Sequence, residues 1–279
     1  LHNTNAMSED PLNEPIIQST IVRMNKDGAV ETEHDHIAVE EPLEIRIGNK
    51  PFVVTMRTPG HDEDLAVGFL VTEGIIKKRS DIKQLSRCPT SPTPDNTLRV
   101  DLIQDAIPEG VKSNRHGAIA ASCGVCGKAS IDVIQNQFPP SDSSFQFNRQ
   151  TLIELPDKLR ESQTVFDQTG GLHSAGLFDL EGNLLFQRED VGRHNALDKV
   201  IGHAFLNDLW PLDEHVLMVS GRVAFEIMQK ALAAHIGLVA AVSAPSSLAI
   251  SFALESGQTL VGFLRNGKFN VYSHPQRIG

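Results

Sequence analysis

Cys123 and Cys126 stand three residues apart in Ala121-Ser122-Cys123-Gly124-Val125-Cys126-Gly127-Lys128. Two thiols at this spacing can share a metal, close a disulfide, or hand a sulfur atom between them. A structural zinc site needs four ligands, and the only other cysteine, Cys88, stands alone beside Pro89. The pair therefore points to sulfur chemistry rather than to structural zinc. Gly124 and Gly127 leave the loop pliable, and Lys128, with Arg115 and His116 upstream, can stabilise a thiolate. Two incidental buried thiols fit this setting less well, because inert cysteines sit among apolar side chains.

A second group of candidate residues lies at strand-to-helix turns in the C-terminal half. Leu177-Phe178 and Leu184 to Arg188 flank an Asp179-to-Asn183 turn and read as a hairpin. Glu189 to Asn195 then runs into a helix with Leu197, Val200, Ile201 and Ala204 on one face. The apolar run Val216 to Val219 predicts a buried strand ending at Ser220-Gly221-Arg222, followed by a helix through Phe225, Met228 and Leu232 that stops near Gly237. Leu238 to Val242 repeats the pattern and ends at Ser243-Ala244-Pro245-Ser246-Ser247. The third helix is expected to carry Leu248, Phe252 and Leu254 inward, and Leu260 to Leu264 to form a strand.

This alternation predicts an α/β fold, a mixed sheet with helices packed on it. Such sheets bind ligands at the carboxyl ends of their strands, where helix N-termini offer N–H groups to an anion. Arg193, His194 and Arg222 would add charge-assisted contacts to phosphate. Asp190, Ser220 and Ser243 could equally be helix caps, but three such turns in series favour a phosphorylated or nucleotide ligand. Thr169-Gly170-Gly171-Leu172-His173-Ser174-Ala175-Gly176 is neither a P-loop nor a dinucleotide fingerprint. Gly171 there marks a close backbone approach, and His173 is either a structural histidine or a ligand contact.

The N-terminal half supplies a smaller β-rich part. Leu43 to Ile47 alternates as a half-buried strand, turns at Gly48-Asn49-Lys50-Pro51 and pairs with Phe52 to Met56. After Thr58-Pro59-Gly60, a helix starts among Asp62, Glu63 and Asp64, with Leu65, Phe69 and Leu70 as its apolar face and Gly74 as its stop. Ser91 to Asn96 is a loop and Leu98 to Leu102 a strand. Residues 1–18 are polar, contain Pro11 and Pro15, and read as a flexible lead-in, with Leu1 to Ala6 an appended leader before a native Met7. The organisation expected is an N-terminal part over 19–140, holding the hairpin, helix and CxxC loop, and a cofactor-binding part over 141–279. Phe138 to Ser144 is a surface loop where they join.

Composition limits the function. Forty per cent hydrophobic residues suffice for a large core, and a formal net charge of −10 argues against general nucleic-acid binding while permitting a local cationic pocket. No apolar run reaches membrane-spanning length. Three cysteines without an export signal fit a reducing cytoplasm.

Taken in order, these segments resemble the formate dehydrogenase accessory family FdhD. The resemblance rests on Arg57-Thr58-Pro59-Gly60, Leu65 to Ile75, Ser122-Cys123-Gly124-Val125-Cys126-Gly127 and Thr169 to Ala175. It continues through Arg188 to Lys199, Ser220-Gly221-Arg222 and Ser243-Ala244-Pro245. It implies a cytidine deaminase-like core and a homodimer. It also implies a sulfurtransferase that accepts persulfide sulfur from a cysteine desulfurase and passes it to the molybdenum or tungsten bis-pterin guanine dinucleotide cofactor of formate dehydrogenase. The persulfide position maps onto Cys123, with Cys126 as helper or second acceptor. The cofactor-binding stretch maps onto Phe263, Leu264, Arg265, Asn266, Gly267 and Lys268, with GDP as a mimic of the cargo and no structural metal.

Two other chemistries compete. Zinc deaminases carry H-x-E followed by P-C-x-x-C; His61-Asp62-Glu63 matches the first part, but Ser122 replaces the proline and the gap is long. A thioredoxin-like CxxC should open a helix after an early strand, whereas this one sits mid-chain. A non-catalytic alternative is a chaperone that only holds the cofactor or its enzyme.

Overall fold

The computed structural model describes residues 14–103, 118–119 and 138–279; Cys123 and Cys126 lie outside them. Thirteen strands and six α-helices are assigned among these residues. The first two strands, β1 (Ile16–Met24) and β2 (Val30–Ala38), form a separate antiparallel ribbon. It begins inside the stretch expected to be a lead-in. Its residues are mostly exposed on both faces, so it lacks the one-sided apolar alternation by which strands are read from sequence.

The N-terminal sheet has the order β5-β6-β3-β4-β7. It consists of β3 (Glu41–Ile47), β4 (Lys50–Arg57), β5 (Ile82–Arg87), β6 (Thr97–Leu102) and β7 (Ala118–Ile119). The predicted β3–β4 hairpin is present, with Leu43, Ile45 and Ile47 turned into the core and Glu44 and Arg46 only half buried. The C-terminal sheet has the order β13-β12-β11-β10-β8-β9. Its strands are β8 (His173–Phe178), β9 (Leu184–Asp190), β10 (Val216–Val219), β11 (Leu238–Ala241), β12 (Thr259–Arg265) and β13 (Lys268–Ser273). Strands β10, β11 and β12 are parallel, and β8 runs antiparallel to both β9 and β10. The sheet is thus mixed, as expected.

Four layers result. The helices α1 (Asp62–Thr72), α4 (Arg193–Leu206), α5 (Phe225–Ala233) and α6 (Ser247–Glu255) share one core with the inner faces of both sheets. The outer face of the C-terminal sheet is covered by α2 (Arg149–Glu161), through Leu152, Leu155 and Leu159, and the short α3 (Thr164–Thr169) follows it. Val216 and Met218 face α2 while Leu217 and Val219 face the inner helices, which is why these central strands read as unbroken apolar runs. The loop before α2 is held to the C-terminal end of the chain: Ser141 N–H bonds the Ser256 carbonyl, and the Ser143 carbonyl accepts from Arg277 Nε at 2.8 Å.

Two helices depart from the expected faces. Only the face with Leu65, Phe69 and Leu70 was expected inside α1, yet ten of its eleven residues are buried because it is enclosed by other elements on all sides. In α6 the buried residues are Ala249, Phe252 and Ala253, while Leu248 and Leu254 point outward, 45% and 53% exposed. The helical phase set by the Ser246 cap, whose Oγ accepts from Ala249 N–H, brings the small alanines against the sheet instead.

Buried charge is paired throughout this interface. Arg57 binds Asp62 through Nε (2.9 Å) and Nη2 (3.0 Å), and Arg87 adds a contact at 2.8 Å. Burial opposes ionisation of Asp62, but the two guanidinium groups outweigh it and hold the carboxyl below its ordinary value. That stabilisation is present above pH 3.8 and is lost as the pH falls through the lower folded-state value. Lys230 Nζ reaches both oxygens of Asp198, at 2.8 and 2.7 Å, and Thr72 donates to the same carboxylate.

Candidate functional site

The strand directions bring most of the candidate residues to one edge of the C-terminal sheet. His173 opens β8 where β9 ends at Asp190; Ser220 follows β10 and Ser243 follows β11. The β12–β13 turn closes the row. Asn266 (φ +52°) and Gly267 (φ +69°) both take left-handed backbone between the paired residues Arg265 and Lys268. This is the two-residue Asn-Gly hairpin turn, a signal present in the sequence and there absorbed into the cofactor-binding stretch.

Gly171, His173, Ser220, Arg265, Asn266 and Gly267 line a cleft of about 740 Å³ at this edge, within the roughly 300–1,000 Å³ typical of small-molecule sites. Its opposite wall comes from α2 and α3: Ile153, Pro156, Asp157, Arg160 and Phe166. Sequence reasoning missed that wall, including helix α2 itself: the spacing of Leu152, Leu155 and Leu159 is the signal that would have found the helix, but nothing local says that its far side borders a cleft. Ser220 stitches the edge, its N–H bonding the Ser174 carbonyl (2.9 Å) and its Oγ accepting from Ser174 N–H (2.8 Å).

His173 is half-buried, and burial, then the Arg193 guanidinium, then that of Arg222, lower its pKa, with Asp190 opposing them. The imidazole is therefore neutral at pH 7, with one donor and one acceptor nitrogen. Because its folded pKa is lowered, protonation on unfolding erodes stability as pH falls below 6.5. Gly221 lies close beside it: a Cβ there would come within 3.0 Å of His173 Nδ1, so the ring would have to shift. Gly221→Ala is expected to turn the ring and weaken cleft binding on the order of five- to tenfold with little change in Tm. Calorimetric titration against thermal unfolding checks this.

Other candidates stand outside the cleft. Asp190 is fully buried, and its carboxylate is consumed by Thr58 N–H (3.1 Å), Gly192 N–H (2.8 Å), Asn195 Nδ2 (3.0 Å) and Lys199 Nζ (2.7 Å). Lys199 also donates to the Thr58 carbonyl at 2.9 Å. This group locks the Thr58 loop of the N-terminal sheet to α4. Asp190→Ala, which strands a buried ammonium, is expected to cost about 3–5 kcal/mol, and adding Lys199→Met is expected to recover part of it. Denaturant titration of the two variants checks both.

Arg193 is half-buried, with an Nε buried and lacking a hydrogen-bond partner. Its neighbour His194 is 8% exposed, with Nε2 at 3.9 Å from Glu226, and Arg222 is exposed. The Ser243 carbonyl accepts from Phe263 N–H (3.1 Å), and the Phe263 ring lies 5.6 Å from the Arg265 guanidinium. Leu264 is wholly buried in the α2-side core and Lys268 is exposed. Of the zinc-type residues, Asp62 is held by two arginines and His61 begins α1 in left-handed backbone. Among the described residues no cluster of three or more His, Cys, Asp or Glu is arranged to hold a metal. No helix among them is long and apolar enough to cross a membrane.

Comparison with known proteins gives this arrangement a family. The sequence profile of the FdhD/NarQ family matches residues 38–279. The sulfur carrier protein FdhD of Streptomyces coelicolor is 47% identical over 261 residues, covering 91% of this chain and 92% of that one. Its namesake in Mycobacterium tuberculosis is 48% identical over 256 residues, covering 88% and 93%. The archaeal Sulfolobus acidocaldarius protein of the same name is 43% identical over 253 residues, covering 91% and 95%. A crystal structure described as a formate dehydrogenase accessory protein from Desulfotalea psychrophila superposes with a TM-score of 0.76 at 26% identity, covering 95% of this chain and all of that one. With the profile spanning the CxxC, the sheet-edge turns and the cleft alike, the chain belongs to the FdhD/NarQ family.

Proposed function

We propose that this protein is a cytoplasmic sulfur carrier that loads persulfide sulfur onto Cys123 and delivers it to the metal of a bis-pterin guanine dinucleotide cofactor destined for the catalytic subunit of formate dehydrogenase. The observation that carries the reading is the cleft at the carboxyl edge of the C-terminal sheet. It combines nucleotide-sized volume with Arg265, a neutral His173, the Ser220 hydroxyl and an Asn-Gly turn. Those are the groups a phosphate-bearing cargo needs: a guanidinium for charge, small residues for close approach, and neutral hydrogen-bonding side chains. Molybdenum or tungsten enters as part of the cargo. Fixed positive charge in one cleft is compatible with a net charge of −10 over the whole chain.

The sulfur chemistry rests on the CxxC. A Cys123 thiolate attacks the outer sulfur of a cysteine desulfurase persulfide. The donor's S–S bond breaks, its cysteine leaves as a thiolate, and a new S–S bond forms on Cys123. Attack of the Cys126 thiolate on Cys123 Sγ then expels hydrosulfide toward the metal and leaves a Cys123–Cys126 disulfide, which a dithiol reductant must reopen. Strand β7, which ends four residues before Cys123 in the sequence, pairs in parallel with β4, Ile119 opposite Thr55. Thr55 and the Met56 carbonyl are both hydrogen-bonded to Asn195 in the first turn of α4.

The test pairs two measurements on the full chain. Incubation with a cysteine desulfurase and cysteine should add about 32 Da per sulfur, removable by dithiothreitol, and GDP should bind the protein as a mimic of the cargo, in a homodimer by sedimentation. Binding without sulfur loading would favour a cofactor-holding chaperone; loading without binding would remove the nucleotide cleft from the mechanism.

A further inference from the structure

Building on the guanine-nucleotide reading of the cleft, which this inference takes over unchanged, we infer that Asp157 of α2 is the residue that selects the guanine base of the bound nucleotide. Among the described residues that line the cleft, Asp157 is the single carboxylate. Its cationic neighbours on α2 are engaged elsewhere. Lys158 pairs with Glu154 at 3.5 Å and donates to the Gly182 carbonyl at 2.7 Å. Arg160 is ion-paired with Asp167, and its guanidinium lies 4.9 Å from the centre of the Phe166 ring. Asp157 itself is exposed and has no hydrogen-bond or ion-pair partner among the described residues.

A free carboxylate repels phosphate, so the phosphates of a nucleotide belong with Arg265, leaving the base or the ribose to meet Asp157. The Phe166 ring with Arg160 over it supplies an aromatic and guanidinium surface on the same wall, suited to a flat heterocycle. An ionised carboxylate only accepts hydrogen bonds. Guanine offers it two adjacent donors, N1–H and the N2 amine. Adenine offers one donor next to the N1 lone pair, which would face the carboxylate repulsively. Selection therefore comes from an attraction to one base and a repulsion of the other.

The test is calorimetric titration of wild-type protein, Asp157→Asn and Arg265→Ala with GDP, IDP and ADP. IDP keeps N1–H and lacks the N2 amine. Wild type is expected to bind in the order GDP, IDP, ADP. Asp157→Asn should lose roughly 10- to 150-fold for GDP, less for IDP and least for ADP, whereas Arg265→Ala should weaken all three alike. An equal loss for all three in Asp157→Asn would make the residue a ribose contact and overturn the inference, as would unchanged GDP affinity. If wild type binds none of the three, the cleft reading itself fails; if it binds GDP and ADP equally, only the base assignment fails. Circular dichroism of Asp157→Asn, a change at an exposed position, separates binding loss from misfolding.

Discussion

Cys123→Ala is expected to abolish sulfur loading altogether and reduce support of formate dehydrogenase to background, while leaving GDP affinity unchanged. In the proposed mechanism the thiolate at position 123 forms the covalent bond that carries the sulfur, so its removal takes away the acceptor. Cys126→Ala should behave differently. Loading persists, about 32 Da per sulfur by intact mass, but release by disulfide closure is blocked, so the persulfide accumulates and delivery slows. Wild type, both single variants and the double variant can be compared by mass and by formate oxidation in a host lacking its own carrier. If Cys123→Ala still loads one sulfur that Cys126→Ala does not, the two roles are exchanged. If the double variant still activates the enzyme, the carrier mechanism is wrong and a holding function remains.

The largest expected effect on folding comes from a residue with no chemistry. Gly68 of α1 and Gly202 of α4 lie where the two helices cross, backbone against backbone. A Cβ on Gly68 would overlap the Asp198 carbonyl, and one on Gly202 would overlap the Asp64 carbonyl. The obstructing atoms are main chain, so no rotamer change relieves the overlap; the helices must separate. Separation would also strain the Asp198–Lys230 pair and the Arg188–Asp64 contact (2.9 Å) that flank the crossing. Gly68→Val is expected to cost at least about 5 kcal/mol, comparable with the whole margin of a typical domain, and to yield insoluble protein. Gly68→Ala should fold with a Tm lowered by roughly 10 °C. An unchanged Tm in Gly68→Ala would contradict the helix crossing.

Two kinds of strand are read directly from sequence. The β3–β4 hairpin alternates apolar and polar residues with the period of a strand buried on one face, whereas β10 and β11 are short unbroken apolar runs because both their faces are buried. Where burial comes from several sides, period carries little information: the acidic residues after Gly60, the face of Leu65, Phe69 and Leu70, and Gly74 together mark α1 as a helix, but that face is only part of what is buried because α1 is enclosed all round. The exposed β1–β2 ribbon offers no burial signal, and Leu248 and Leu254 of α6, expected inward, point outward because hydrophobicity alone does not fix helical phase.

For the site, residue types and spacing single out Cys123 and Cys126 as a candidate pair, which lies outside the described residues, and the candidate turns after β9, β10 and β11, because thiol spacing and helix-start residues are local properties. Only the tertiary structure decided which candidates share a cleft. Gly171, His173, Ser220 and Arg265 to Gly267 face it because β8 runs antiparallel to β10 and the β12 turn ends at the same edge. Asp190, indistinguishable from them by sequence, is spent on Lys199 and Thr58. Asp157 and Phe166, which carry no local signal, complete the wall because α2 and α3 pack beside that edge. Sequence specifies what a side chain can do, whereas access to a ligand depends on strand direction and on which buried partner claims the group first.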